Sequence, residues 1–419
     1  MPSVLAPYDT ATGYLSTRSG VKSIGLAAGM TGATASSRYV GATSSGAPTT
    51  GTFAVGDWII DQTGKIYVAT VAGSPGTWVQ VGAGGGGGAS ITQVTFAEST
   101  AAPNATVYVD SITAAGASTN VDLALSPKGT GALTAQVADS TTAGGNKRGT
   151  YSVDWQTTRT AATHVAFASN GVISGGQSNA ISSGNANAVI GGGQINSVGG
   201  NSSVVGGGST NTANGGWDTV AGGWTCMSGG GNGSVGGGRD NSVTAPYGTI
   251  PGGWAASSEL WGKLACASGK FTTAGDAQFG LIVCRATTTT NAGVNLTNNG
   301  NGTFSATNHL VLPNNRVYRF TIDLVASSGT IGTASTSTYG SFGGVWTITG
   351  AIRRAATAAT TAIIGIPTVL ATAVDSQLAA VTFTVLAETA TYGSLQIVAT
   401  GLASTQIHWV ATIMTTEVG

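Results

Sequence analysis

VIGGGQINSVGGNSSVVGGGSTNTANGGWDTVAGG, residues 189–223, decides the fold. Its paired glycines belong to a longer series: Gly175-Gly176, Gly192-Gly193, Gly207-Gly208, Gly222-Gly223, Gly237-Gly238 and Gly252-Gly253. The intervals are 17, 15, 15, 15 and 15 residues. Two residues before each pair stands one aliphatic side chain: Ile173, Ile190, Val205, Val220, Val235 and Ile250. Three residues after the second glycine come Asn179, Asn196, Asn211 and Asn241, with Cys226 and Ala256 in the remaining two copies. A second small apolar position follows in Ile181, Val198, Ala213 and Val243. Several features shared in register make residues 171–256 an internal repeat of six copies.

Fifteen residues with two apolar points and two glycine turns describe one coil of a β-roll or β-helix. Hydrogen-bonded strands are spaced ~4.8 Å apart, so six coils would stack over roughly 25–30 Å. The aliphatics are expected to point inward onto their counterparts, with the asparagines forming side-chain ladders or occupying left-handed turns. One or two aliphatics per coil make a thin core against the entropy of ordering the chain. The repeat therefore predicts three chains sharing one axis, a homotrimer with the six aliphatics at its core. Asp218, Arg239 and Asp240 are the charged residues of the repeat, too few for an ion-pair set that specifies assembly.

The rest of the chain agrees with an all-β scaffold. Glycine fills 67 of 419 positions and charged residues make up 8%, against about 25% in an ordinary soluble domain. Lysine plus arginine balances aspartate plus glutamate, 16 to 16, so the basic footprint of a nucleic-acid binder is missing. A 41% hydrophobic content argues against disorder, and glycine does not keep the collagen period. Cys226, Cys266 and Cys284 are odd in number and fit no zinc spacing, so they read as buried free thiols. The first twenty residues show no secretory signal, which predicts synthesis in a cytoplasm without export by the chain's own leader. Ala355–Val374 is uncharged and of membrane length, but it is rich in Ala and Thr and interrupted by Pro367, so β-strands are expected there.

Composition divides the chain into six stretches. Residues 1–50 form a Ser/Thr/Ala/Gly-rich arm, and 51–83 a small β module in which Trp58, Ile60, Ile66, Val68 and Trp78 alternate with polar positions. Residues 84–90 are a glycine hinge without the Lys-Ser/Thr of a phosphate loop, and 91–170 a β-rich connector. The coil repeat of 171–256 precedes a β-sandwich at 257–419. In the latter, alternation runs through Tyr318, Phe320, Ile322 and Leu324, then Trp346 and Ile348, then Val381, Phe383 and Val385, then Ile407, Trp409, Ala411 and Ile413.

The pattern GGxxNxxxxGxxxxVxGG resembles head repeats of trimeric autotransporter adhesins and, more closely, coils of bacteriophage tail fibres. Val121–Ala166, with its Ser126–Gly131 and Gly144–Gly149 turns leading into Asp154-Trp155-Gln156 and Arg159, is similar to a segment preceding such coils in phage fibres. From about Trp261, GKFTTAGDAQFG, the LPNN turn and TGLASTQIHWVATI resemble a recurrent terminal domain of phage particles. With no signal peptide read at the start and Thr416-Glu417-Val418-Gly419 at the close, the phage resemblance is expected to hold over the autotransporter one. The resemblance implies a phage virion fibre, of the tail or else of the capsid or neck, assembled in the host cytoplasm. Its N-terminal arm would hold another virion protein, and its C-terminal tip would bind a host cell-surface glycan or protein. Neither nucleic acid, membrane insertion nor a cofactor enters this expectation.

Chemistry is expected to be absent. A polysaccharide-cleaving tailspike would commonly need two carboxylates within ~5–9.5 Å. The repeats offer Asp218 and Asp240, which do not fall at equivalent coil positions. Asp154, His164 and Ser152 share a segment without a nucleophile elbow, and His309 and His408 read as structural or surface residues. His309 with Cys266 and Cys284 lacks ligand-like spacing for a metal. Trp217, Trp224 and Trp254 stand out. Trp224 and Trp254 each follow a double glycine, and Trp217 lies at a turn. Their expected role is stacking between subunits, with stacking on sugars as the alternative.

Overall fold

Two parallel strand ladders run through the repeat, one rung of each per coil. The first joins Val172–Ile173, Val189–Ile190, Val204–Val205, Thr219–Val220, Ser234–Val235 and Thr249–Ile250 in register. The second joins Ala180–Ile181, Ser197–Val198, Thr212–Ala213, Met227–Ser228, Ser242–Val243 and Ser257–Ser258. Between them, single-residue bridges link Thr158, Gln177, Gln194, Ser209, Trp224, Arg239 and Trp254 into a third column. The chain is an all-β protein with a β-solenoid. This computed structural model describes residues 22–23, 38–81, 94–99, 109–114, 120, 122–329, 331–332 and 340–419, divided into two units, Met1–Ala124 and Leu125–Gly419. The glycine hinge at 84–90 and most of the N-terminal arm lie outside the described residues.

Glycine is required where coils touch. At Gly193 φ is 82° and a β-carbon would lie 2.1 Å from the carbonyl oxygen of Gly208 in the next coil, a clash that backbone cannot relieve. The stack also continues past the six repeats. Leu133–Thr134 and Val153–Asp154 precede it in the first ladder, and Leu264–Ser268 follows it.

The aliphatic column from Ile173 to Ile250 is fully buried within a single chain, together with Ile181, Val198, Ala213 and Val243. The six side chains expected at a trimer or coil core thus line the coil core of one chain. Three inward positions per coil, two on the ladders and the asparagine between them, close the interior without a partner.

In the first unit, Lys22–Ser23, Arg38–Tyr39, Trp58–Ile60, Ile66–Val71 and Thr77–Val81 form a five-stranded sheet. Its buried side chains are Ile59 and Ala69, so the alternation of Trp58, Ile60, Ile66 and Val68 marks the less buried face. Val94–Ser99 pairs separately with Val109–Ala114.

Beyond the coils, Leu264–Ser268 pairs in parallel with the last coil on one side and antiparallel with Ala277–Thr288 on the other. The sheet continues through Ile407–Val418, Arg316–Ser328 and Phe342–Arg354 to the edge strand Ala362–Val374. A second sheet centres on Ser394–Thr400, paired with Gly293–Asn295, Leu310–Val311 and Thr382–Glu388. Residues of both sheets share one core that includes Phe320, Ile322, Leu324, Trp346, Ile397, Trp409 and Ile413. The membrane-length stretch is thus largely the edge strand, where Pro367 withholds no ladder hydrogen bond from an interior neighbour. Among the described residues, no helix is long and apolar enough to cross a membrane.

Candidate functional site

Inside the coils the asparagines form a continuous ladder. Asn196 Nδ2 donates to the carbonyls of Gly192 in its own coil and Gly208 in the next, and Asn196 Oδ1 accepts from the Asn211 N–H at 2.9 Å. Asn179, Asn211 and Asn241 repeat the pattern. Each amide thereby satisfies the carbonyl of its own turn and adds a second hydrogen bond to the next-coil carbonyl, which already accepts a backbone N–H. Cys226 occupies one slot with a thiol, its Sγ 3.6 Å from the Gly237 carbonyl oxygen, and burial pushes its pKa up. Ladder hydrogen bonding, one of the two roles expected of these asparagines, is the one observed.

The segment singled out by its resemblance to phage fibres closes the first coils. Asp154 stands in the inward column one rung before Ile173, and it is fully buried. Arg148 Nε reaches its Oδ2 at 2.9 Å and Arg159 Nη2 at 3.4 Å. Gln156 begins the amide ladder, accepting from the Asn179 N–H and donating to the Asn179 and His164 carbonyls. A polar plug therefore ends the apolar interior. Beside it a cavity of about 480 Å³ is lined by Asn146, Thr163, His164, Phe167 and Ile181, among others. Burial and then the nearby Arg159 lower the His164 pKa.

The outer flank carries the exposed aromatics. Trp224, Arg239 and Trp254 are successive members of the third column. The Arg239 guanidinium lies 4.3 Å from the Trp224 ring centre and 5.6 Å from that of Trp254. Asp240 fixes the group, its Oδ2 3.4 Å from Arg239 Nε and 3.3 Å from Trp254 Nε1. The backbone of Gly269 approaches Trp254: a β-carbon there would sit 3.3 Å from the indole. Trp217 belongs to a different corner, a column of left-handed residues that includes Ser202, Asn232 and Tyr247. The sequence reading noted the two tryptophans but missed Arg239 between them. The signal was present, since 224, 239 and 254 follow the coil period.

The other candidate residues do not converge on this flank. Asp218 is buried, its carboxylate accepting from the N–H groups of Gly215 and Gly233, whereas Asp240 is at the surface corner. His309 is buried in the terminal domain, with Nε2 2.7 Å from Ser394 Oγ and Nδ1 3.2 Å from Asn308 Oδ1. Phe304 stacks on its ring at 4.0 Å, and burial pushes its pKa down to about 4. Ser394 and Asn308 are buried as well, so this serine–histidine contact is sealed from solvent. Cys284 is buried in the terminal core, with its thiol pushed up to about 12, and Cys266 is half-buried. His408 is exposed on the outer face of its strand.

The fold and flank define a class: a parallel β-solenoid with an internal amide ladder, joined to an antiparallel terminal module. No protein-family model and no curated protein sequence matches the chain. Among solved structures, it is similar to the tailspike protein of Acinetobacter baumannii phage AM24, at 9% identity and a TM-score of 0.20 over 57% of this chain and 53% of that one. It is also similar to the tailspike protein of Acinetobacter phage vB_ApiP_P1, at 11% identity and a TM-score of 0.18 over 59% of this chain and 61% of that one. A further likeness is to tailspike protein gp49 of A. baumannii bacteriophage Fri1, described as a capsular polysaccharide depolymerase. There the identity is 10% and the TM-score 0.17, over 58% of this chain and 46% of that one. The matched part is thus about half the length of these tailspikes. The expectation that chemistry is absent is corrected here, because one of these structures is of an enzyme. Head repeats of the trimeric autotransporter type find no counterpart among these likenesses.

Proposed function

We propose that the chain is a subunit of a phage virion fibre of the tail, which contacts the host cell surface through its terminal domain. The observation that carries this reading is the joint at Leu264–Ser268. There one strand is both the last parallel rung of the coil stack and a member of the antiparallel sheet. A rigid stack that passes directly into a terminal module suits a fibre that must hold a binding surface away from a particle. The tailspike likenesses accord with this reading but do not carry it. A host-surface glycan or protein is the ligand, and another virion protein is the partner of the N-terminal region.

The fibre is a homotrimer. The support is the edge strand Ala362–Val374, which exposes Ile366 at 91% and Leu370 at 62% along an unpaired sheet edge. Such an edge invites another chain, and natural proteins rarely leave it bare.

Gold-labelled antibody against residues 277–419, viewed on intact particles, tests the address. Label on the tail supports the reading, and label on the capsid or neck replaces it with a head or neck fibre. Purified chain should compete with particles for adsorption to host cells, and a chain ending at residue 256 should not. Equal competition by both would move recognition out of the terminal domain. Native mass spectrometry should give three copies, and a monomer would refute the trimer. Release of reducing ends from purified host capsular polysaccharide would make the fibre a depolymerase.

A further inference from the structure

We propose that the coil flank holds a sugar-binding slot: a neutral pyranose ring lies over Ser209, stacked on Trp224 and hydrogen-bonded by the amide of Gln194. The slot follows from the column read in order. Trp254 meets both the Gly269 backbone and Arg239, and the Arg239 guanidinium lies closer to Trp224, at 4.3 Å from its ring centre. The stack ends there. The face of Trp224 turned away from Arg239 fronts the coil of Ser209, its direct ladder partner, and the residue is 52% exposed.

Ser209 is the small member of the column, and Gln194 stands one rung beyond it. Two rungs separate Trp224 from Gln194, a gap of roughly 9–10 Å at the spacing of hydrogen-bonded strands. A flat saturated ring placed midway would sit ~5 Å from the indole, within the 4.5–7 Å over which aromatic faces stack. The apolar C–H face of a pyranose suits the indole. The amide of Gln194, which is exposed and only 3.4 Å from that of Gln177, supplies a donor and an acceptor for ring hydroxyls. Neutrality follows from Asp240, which compensates the only cation of the column. Arg239 acts as a positioning residue, its guanidinium 4.3 Å from the Trp224 ring centre and 5.6 Å from that of Trp254.

The proposal draws on the host-surface reading only for the source of the sugar, and its test is independent of adsorption. Saturation-transfer NMR on the full chain would use methyl α-D-glucopyranoside, methyl β-D-galactopyranoside and methyl α-D-mannopyranoside. At least one should receive saturation at its ring C–H protons. Ser209→Trp, which fills the slot with a side chain the column already accepts one coil on, should weaken binding more than tenfold without lowering the thermal midpoint. Trp224→Ala should do the same, and Trp217→Ala, on another corner, should leave binding unchanged. Transfer to none of the three glycosides, or transfer that persists in Ser209→Trp, overturns the slot. Loss of oligomeric mass in Trp224→Ala, without any transfer in the parent chain, would make the column a contact between copies of this chain. Either failure leaves the adsorption experiment free to succeed, and failed adsorption would leave the slot standing.

Discussion

At the scale of single residues, the coil interior contains its own controls. Cys226 interrupts the asparagine ladder, and the Asn241 N–H is directed at its sulfur instead of an amide oxygen. Cys226→Asn should restore two donated hydrogen bonds and one accepted one, raising stability by about 1–2 kcal/mol in urea titrations. Asn211→Ala should cost about 2–4 kcal/mol, because it strands the Gly207 carbonyl and the Cys226 N–H and takes one of two hydrogen bonds from the Gly223 carbonyl. A neutral Asn211→Ala would mean that water replaces the amide. His309 gives a pH signature. Its folded pKa, near 4, lies below the unfolded value of about 6.5, so the unfolded chain binds the proton first. Stability from this site is complete above pH ~6.5 and is lost as pH falls toward 4, by on the order of 3 kcal/mol. His309→Gln should remove that fall, measured as the difference between parent and variant in thermal midpoint at pH 7.5 and 4.5. Parallel curves for parent and variant would refute it. The ladder was legible in sequence because asparagine recurs at a fixed offset. The histidine was not, because its partner Ser394 is 85 residues away.

At the scale of the element, the period is the structure. Removal of the 15 residues Thr219–Gly233 takes out one whole coil, the one containing Cys226, and brings Val205 against Val235 with Asn211 against Asn241. The thermal midpoint should move by no more than about 5 °C, the effect of one or two kcal/mol. Removal of 14 residues, Thr219–Asn232, shifts the register by one and turns every following inward side chain outward. That protein should fail to give the cooperative unfolding transition of the parent by circular dichroism. Equal behaviour of the two deletions would mean that the coils are not the cooperative unit. The six central coils were readable because their glycine pairs and aliphatics repeat. The coils before them were not, since Asp154 stands where an aliphatic is expected and Gln156 takes the asparagine role through a longer side chain. A polar plug erases the pattern that would reveal it, which is why Val121–Ala166 was recognisable by resemblance and not by period.

At the scale of the whole molecule, the second unit depends on one buried ion pair that no local pattern announces. Lys263 leads into the last rung, and Glu417 lies at the end of the final strand, 154 residues later. Lys263 Nζ is 2.8 Å from the carboxylate, both side chains are almost fully buried, and Gln278 and Thr415 donate to the same oxygens. The strand Ile407–Val418 is central, held between Ala277–Thr288 and Arg316–Ser328, so the pair fixes coil stack and terminal sheet at a single point. The alternation of Ile407, Trp409, Ala411 and Ile413 made the inner face of that strand legible, whereas its neighbours and the lysine it meets depend on tertiary pairing. Removing one partner strands a buried charge. Lys263→Met should therefore cost about 3–5 kcal/mol, more than the pair itself contributes. In Lys263→Met/Glu417→Gln the remaining charge is gone, while the amide oxygen can still accept from Thr415, so part of that loss should return. The double-mutant cycle, measured by chemical denaturation, should give a coupling of at least 1 kcal/mol, roughly the lower range for residues in one network. Additive losses would show that Glu417 is held by its hydrogen bonds, those from Gln278 and Thr415 among them, without help from Lys263. The joint at Leu264–Ser268 would then rest on its strand pairing without help from charge.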